Sequence, residues 1–433
     1  MTHPIEPAAT PASHASSASH ASPALLAAAG PHPAAPRAAR YSTARKLFLV
    51  GMLLLSWMLA NADRIAMSIS IVPITQDFHL DARSAGLLLS AFYVSYALMQ
   101  LAAGWLGDRF GSRIVLVFAV ACWSVFTGLT GVATGFAMLF AIRVLFGIGE
   151  GGFVPASTVT IAEAFPHEER ARAKSIVIGA SFIGSALGSS AIAALIGSHG
   201  WRFAYHVFGA IGIAVAVVLW LAIKPAPRRA RQPGQPTFRA LFASPMLRKT
   251  MLIFFFSNIV YVALISWMPA FLIKTRHIDI LHAGLATSGS YLIAFLSLSG
   301  VGWMLDRIGR GRERLFMVVG GSAVAIFLAA MALADALPTL LVLWTLCLVG
   351  YTMVYGTVFA IPLKHMRDEL VGSAAGVINF GGQVAAAIAP AAIGMLVDLT
   401  PGHYLLAYCT LLAAALGAVA VALTWRAEAG PAA

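Results

Sequence analysis

Apolar residues run along this chain in long continuous stretches, each closed by a short polar turn. The stretches do not alternate with the period of two that marks a half-buried strand. Nor do they keep the polar stripe of a surface helix. A helix that crosses a bilayer needs about 20 mostly apolar residues. Twelve segments meet that length: 47–72, 85–105, 114–133, 136–160, 174–197, 203–223, 249–273, 283–303, 314–333, 337–361, 372–397 and 402–425. Barrel strands are short alternating segments and do not fit. The pattern therefore predicts an all-α polytopic membrane protein.

Two stretches stand apart. Residues 1–44 mix Ala, Pro, Ser and His with almost no large apolar side chains. Such a segment cannot offset its ordering entropy and reads as a disordered tail. Residues 224–248 are basic and connect the sixth and seventh runs. The expected organisation is a tail (1–44), a six-helix half (45–223), a linker (224–248), a second six-helix half (249–425) and a short tail (426–433).

Composition agrees with the pattern. Hydrophobic residues make up 59% of the 433 and charged ones 11%, with mean hydropathy +0.83. A soluble domain carries about 25% charged residues, so a soluble fold of this size is excluded. Cys122, Cys347 and Cys409 all fall inside apolar runs, which argues against a disulfide scaffold. The net charge of +12 is not a nucleic-acid signal here. Of the 29 Lys and Arg residues, 23 lie on the side of the termini and linker and four on the other side. The positive-inside rule makes the richer side cytoplasmic. The expectation is a monomeric, multi-pass inner-membrane protein with both termini in the cytoplasm. Its partners are the lipid bilayer, a small organic anion and protons, with no nucleic acid.

A repeat links the two halves. Gly104-Trp105-Leu106-Gly107-Asp108-Arg109-Phe110-Gly111 follows the second run, with Arg113 two residues beyond. Gly302-Trp303-Met304-Leu305-Asp306-Arg307-Ile308-Gly309 follows the eighth, 198 residues later. Parallel halves of six helices, fused through the linker, are the expected architecture. Physically the motif suits a gate, because a carboxylate at a helix end can cap a neighbouring helix or pair with Arg and later release it. Gly104, Asp108, Arg109, Gly111, Arg113, Gly302, Asp306, Arg307 and Gly309 are the gating candidates.

This motif pair, the twelve spans and Arg143-Val-Leu-Phe-Gly147-Ile-Gly149 resemble the major facilitator superfamily over residues 45–425. Finer signatures resemble its anion:cation symporter branch. They include Asn61-Ala-Asp63-Arg64, Tyr96-x-x-x-Gln100, Arg143 to Glu150 to Pro155, Gly200-Trp201-Arg202, Trp267-x-Pro269 and Asn379. The resemblance implies the major facilitator fold and, among that branch, proton symport of sugar acids such as galactonate, glucarate and hexuronates. It also supports proton roles for Asp63 and Glu150. One departure concerns Asn61, where symporters of this branch often carry tyrosine.

Four charged residues sit deep within the spans: Asp63, Arg64, Arg143 and Glu150. Each costs at least about 2.5–3.5 kcal/mol at a helix centre, so four isolated charges would be hard to carry. Two acids and two bases facing one cavity neutralise one another. Arginine offers a permanently charged planar fork that matches a carboxylate. A carboxylate taken out of water favours its neutral form and so can load and unload protons. Asp63 and Arg64 diverge by about 100° on their helix, while Arg143 and Glu150, seven apart, share a face.

Tyr96 with Gln100, and Asn379 with Gln383, are i,i+4 pairs that place donors and acceptors on one face. They are candidates for binding substrate, together with Asn61. Asn258, Tyr261, Trp344, Tyr351 and Tyr355 are further lining candidates. No phosphate-binding loop, nucleophile–base pair or metal-ligand cluster is visible, so neither an enzyme nor a cofactor beyond the proton is expected. The leading expectation is a proton-coupled symporter that imports an organic anion, a sugar acid foremost, by alternating access. An aromatic acid or dicarboxylate as cargo, a proton-coupled drug exporter and a non-transporting sensor stay open.

Overall fold

The structure is a computed structural model that describes residues 42–223, 238–307, 311–366, 368–400 and 404–426. Within these helices the side chains at 101–105, 107–109, 162, 167–168, 171–172, 175, 238–240, 306 and 368–370 are not described. The expected tail, most of the expected linker and residues 427–433 lie outside the described residues.

No strand occurs among the described residues. The first half holds α1 (Thr43–Asp77), α2 (Ala82–Phe110), α3 (Ser112–Thr130), α4 (Phe136–Gly151), α5 (Phe153–Ala164) and α6 (His167–Ala222). After a short α7 (Phe238–Ala243) come α8 (Pro245–Arg276), α9 (Ile280–Arg307), α10 (Glu313–Ala332), α11 (Leu337–His365), α12 (Asp368–Leu399) and α13 (Leu405–Thr424). Ten stretches among the described residues are long and apolar enough to cross a membrane. One of them, Ile176–Ala222, makes two crossings, and α2 supplies another.

The double crossing of α6 is read from its partners on α1. Glu169 pairs with Lys46 at the start of α1, 2.8 Å apart. Trp201 and Arg202 then donate to Asp77 at the far end of α1, both at 2.8 Å. The carbonyl of Ala222 finally accepts from Arg45, back at the start, at 2.9 Å. The chain reverses at Gly200, whose φ of 83° and ψ of 164° suit a residue without a Cβ. The expected fourth span is likewise split, α4 ending at Gly151 and α5 beginning at Phe153. Pro155 has no N–H for the carbonyl of Gly151, which leaves the helix a weak point there.

The halves meet along three helix pairs: α2 with α12, α6 with α9, and α1 with α8. Hydrogen bonds across this seam concentrate on the face opposite the termini. The Asp398 carboxylate at the end of α12 accepts from the backbone N–H of Ala82 at 3.1 Å and of Arg83 at 2.6 Å. It thereby caps α2 from the other half of the molecule. Deeper along the same pair, Ala391 N–H donates to Ser90 Oγ at 3.0 Å. On the second pair, Ser189 hydrogen-bonds Thr287 at 2.5 Å and Ser190 hydrogen-bonds Ser288 at 2.6 Å. These bonds seal the face opposite the termini. Toward the face of the termini, the described residues hold one such bond between halves, Asn379 to Gln100.

Candidate functional site

The four charges deep within the spans come from α1 and α4, and close packing of α2 onto α4 brings aromatic rings against them. Gly147 makes that approach feasible. A Cβ there would lie 2.4 Å from the carbonyl oxygen of Phe92 and 2.2 Å from Ser95 Oγ. Phe92 and Tyr96 on α2 are buried in this contact.

Asp63 and Arg64 diverge as their positions on α1 require. Asp63, 2% exposed, turns toward α3, where Thr127 Oγ1 donates to its Oδ2 at 3.1 Å. Its Oδ1 is buried without a hydrogen-bond partner. Arg64 turns toward α4 and forms an ion pair with Glu150 through Nη2 and Oε1. Its guanidinium also lies 4.8 Å from the ring centre of Tyr96, 5.0 Å from Phe92 and 5.4 Å from Trp57. Ring faces attract a cation by about 0.5–1 kcal/mol at exposed sites and more as it is desolvated, which helps offset the lost water.

Arg143 is the exception. It is 3% exposed, yet no hydrogen bond or ion pair holds it among the described residues, and its Nε is buried without a partner. Its guanidinium rests on rings alone, 4.9 Å from Phe146 and 5.5 Å from Phe92. Asp63, Glu150, Tyr93 and Tyr205 surround it at electrostatic range without pairing. The shared face of Arg143 and Glu150 therefore does not produce a pair, because Glu150 reaches across to α1 instead. Its second oxygen, Oε2, is also unpartnered. The site thus holds one locked ion pair, one open cation and two carboxylates with an unused oxygen each.

The polar pairs predicted on α2 and α12 meet each other. Asn379 Nδ2 donates to Gln100 Oε1 at 2.8 Å, and Gln383 Nε2 donates to Asn379 Oδ1 at 3.3 Å. Gln383 Oε1 stays unpartnered. Tyr96 lies beside both Arg64 and Gln100. Asn61 is turned back on its own helix, its Nδ2 donating to the Trp57 carbonyl at 2.7 Å. Of the gating candidates, Gly309 lies outside the described residues, and the side chains of Asp108, Arg109 and Asp306 are among those not described. Arg113 lies within them and donates to the Trp220 carbonyl at 2.6 Å, its guanidinium stacked 4.0 Å from the Trp220 ring.

The second half faces this cluster with rings and amides. Tyr261 and Tyr351 stack with centroids 4.1 Å apart and planes 3° from parallel. Tyr351 donates its hydroxyl to Asn258 Oδ1 at 3.0 Å, while Asn258 Nδ2 donates to the Gly382 carbonyl at 2.6 Å. Tyr261 and Tyr355 both lie within electrostatic range of Arg64. Reasoning on the sequence missed Thr127, Trp57 and Phe92. Nothing in their spacing marks them, since each acts through a partner on another helix.

Comparison with known proteins places this geometry. The Major Facilitator Superfamily profile matches residues 52–390. A probable sulfoacetate transporter of Cupriavidus necator is 27% identical over 383 residues, covering 82% of this chain and 88% of that one. A hexuronate transporter of Bacillus subtilis is 27% identical over 394 residues, covering 84% and 91%. A probable galactarate/D-glucarate transporter of Escherichia coli K12 is 27% identical, covering 78% and 85%. Among solved structures, a D-xylose-proton symporter superposes with TM-score 0.74 at 16% identity, over 90% of this chain and 99% of that one. A bacterial homologue of the lysosomal transporter Spinster, inward-facing and unoccupied, gives 0.75 at 20% identity, over 89% and 97%. With twelve crossings in two halves and its charges gathered at their centre, the chain belongs to the Major Facilitator Superfamily and is a membrane transporter, not an enzyme.

Proposed function

We propose that this protein imports an organic carboxylate together with protons, with sugar acids as the leading cargo. The observation that carries the reading is Arg143, a buried guanidinium that no carboxylate pairs with directly. A charge in that position costs several kcal/mol unless paired, and a substrate carboxylate supplies the pair. Arg64 stands near it but is held by Glu150. Protonation of Glu150 frees Arg64, so that a carboxylate bridges the two arginines. Release of the proton lets Glu150 recapture Arg64 and expel the anion. Proton and anion thus load together and leave together. Asp63, poised against Thr127 with one oxygen unused, is the second proton site.

The relatives named for hexuronates, galactarate or D-glucarate and sulfoacetate support an anionic cargo. The excess of Lys and Arg supports the terminal face as cytoplasmic. The sealed face is then the outer one. Rocking of the two halves about the central charges alternates access.

The test is uptake into proteoliposomes under an inward proton gradient. The panel is galactonate, glucarate, glucuronate, sulfoacetate, an aromatic acid and a neutral sugar. Saturable uptake of an acid that collapses with a protonophore is expected. Uptake of no acid, with proton-driven efflux of a cationic dye instead, would overturn the reading in favour of an exporter.

A further inference from the structure

An apolar groove runs between α8, α12 and α13 at the sealed face, away from the central charges, and encloses a cavity of about 110 Å³. Its deep end lies at Ala263 and Leu264 and its mouth at Lys274. Trp267, Phe271 and Lys274 succeed one another at i, i+4 and i+7 on α8, which makes one continuous wall. Val397 of α12 and Tyr408 of α13 close the other sides. Ala82 at the start of α2 also lines it, so an occupant touches both halves of the molecule.

Length and charge identify the occupant. From Ala263 to Lys274 the helix rises about 16 Å, which matches one leaflet of a hydrocarbon core about 30 Å thick. The groove therefore spans the depth of a single acyl chain lying along the bilayer normal. At its mouth stands a cation without a partner. Arg276 donates to the carbonyls of Asp335 and Ala334, and Arg202 is paired with Asp77. Lys274 makes no hydrogen bond or ion pair among the described residues and is exposed, two residues before the end of α8. Apolar depth below a lone ammonium at the membrane surface is the arrangement that an anionic amphiphile satisfies at both ends.

We infer that this groove is a binding site for an anionic phospholipid of the surrounding bilayer, one acyl chain filling the cavity and the phosphate held by Lys274. The chain lies against Ala82, whose backbone N–H is capped by Asp398. A bound lipid thus braces the sealed face at the point where the halves are joined.

The experiment is native mass spectrometry of the full-length protein released from vesicles of phosphatidylcholine with phosphatidylglycerol in equal parts. Wild type is expected to retain one phosphatidylglycerol in preference to phosphatidylcholine. Lys274→Gln removes the charge from an exposed position and should lower that preference about fivefold, the worth of one lysine at an anionic surface. Ala407→Leu, which narrows the groove from α13 while keeping Lys274, should reduce retention of both lipids. Both variants must elute as monodisperse protein, and Lys274→Arg should restore the preference. Equal retention of the two lipids by wild type, or unchanged retention in Lys274→Gln, would overturn the assignment.

Discussion

The two halves share a frame and divide the chemistry. Counted from the first residues of α4 and α11, Arg143 and Glu150 are the eighth and fifteenth positions of their helix, and the same positions of α11 carry Trp344 and Tyr351. One half therefore places a cation and an acid where the other places an indole and a phenol. The charges deep within the spans all lie in the first half, Arg64 paired with Glu150 and Arg143 without an ion pair. The opposing half lines the centre with neutral groups, among them Asn258, held between Tyr351 and the Gly382 carbonyl, and Gln383, whose Oε1 has no partner. A wall of that kind supplies shape rather than charge. The comparison teaches that the repeated frame does not repeat the chemistry, since matching positions of α4 and α11 carry charged groups in one half and neutral rings in the other.

The largest effect that tests this division is expected at Arg143. Arg143→Gln removes the open cation and should lower anion transport about 30-fold or more, since a buried charge pair that loses one partner forfeits about 2–5 kcal/mol. Uptake of the cargo at saturating proton gradient is the readout. Unchanged uptake would move substrate recognition to the aromatic half. Next comes Glu150→Gln, which mimics the protonated acid. Uphill accumulation under a pH gradient should be abolished, whereas counterflow exchange of labelled for unlabelled substrate persists. A variant that still concentrates its cargo would remove Glu150 from coupling and leave Asp63 to carry it.

How much of this was legible beforehand follows from where each interaction lies in the chain. The spans were legible because each is a local run of composition, and the central charges were legible because they break those runs. The divergence of Asp63 and Arg64 needs only helix geometry. The pairing of Arg64 with Glu150, separated by 86 positions, depends on the Arg64 side chain reaching from α1 across to α4. The face shared by Arg143 and Glu150 was legible from their spacing, but the reach of Glu150 across to Arg64 was not. For Asn61 the sequence could not show that its Nδ2 turns back to the Trp57 carbonyl of its own helix. The cap that Asp398 lends to α2 spans more than 300 positions, and nothing in the sequence around Asp398 announces it.

Smaller effects are expected where the wall and the seam are touched. Tyr351→Phe leaves Asn258 Oδ1 buried without its donor, which costs about 1–3 kcal/mol of stability. It should lower the melting temperature and leave the KM for the anion little changed. A loss of affinity comparable to that of Arg143→Gln would mean that the wall recognises cargo after all. Asp398→Ala removes the cap across the seam, worth about 0.5–2 kcal/mol, and favours the state open at the sealed face. A cysteine placed at Ser90 should then react faster with an impermeant thiol reagent added from that side. Equal rates in both backgrounds would show that the cap does not hold the face shut.

The smallest effect probes the frame that the halves share. Asp81 precedes α2 and Asp279 precedes α9, 198 positions apart like the repeated motif. Asp81 accepts from the backbone N–H of Ser84 at 2.8 Å, and Asp279 accepts from those of Leu281 and His282, both at 3.1 Å. Hydrogen bonds from Ser84 hold the Asp81 carboxyl below its usual value of 3.8. The backbone N–H and side chain of His282 do the same for Asp279. A lowered carboxyl contributes stability above its unfolded value and loses it as pH falls through the folded one. Both groups are exposed to water, which screens the contribution to near the limit of measurement. Asp81→Ala and Asp279→Ala should each lower the melting temperature slightly near neutral pH and have no effect in acid below both values. Equal shifts in the two variants would mark the helix starts as equivalent scaffold, in contrast to the unequal centres at Glu150 and Tyr351. A transport defect in either variant would mean that the asymmetry extends to the edges of the fold.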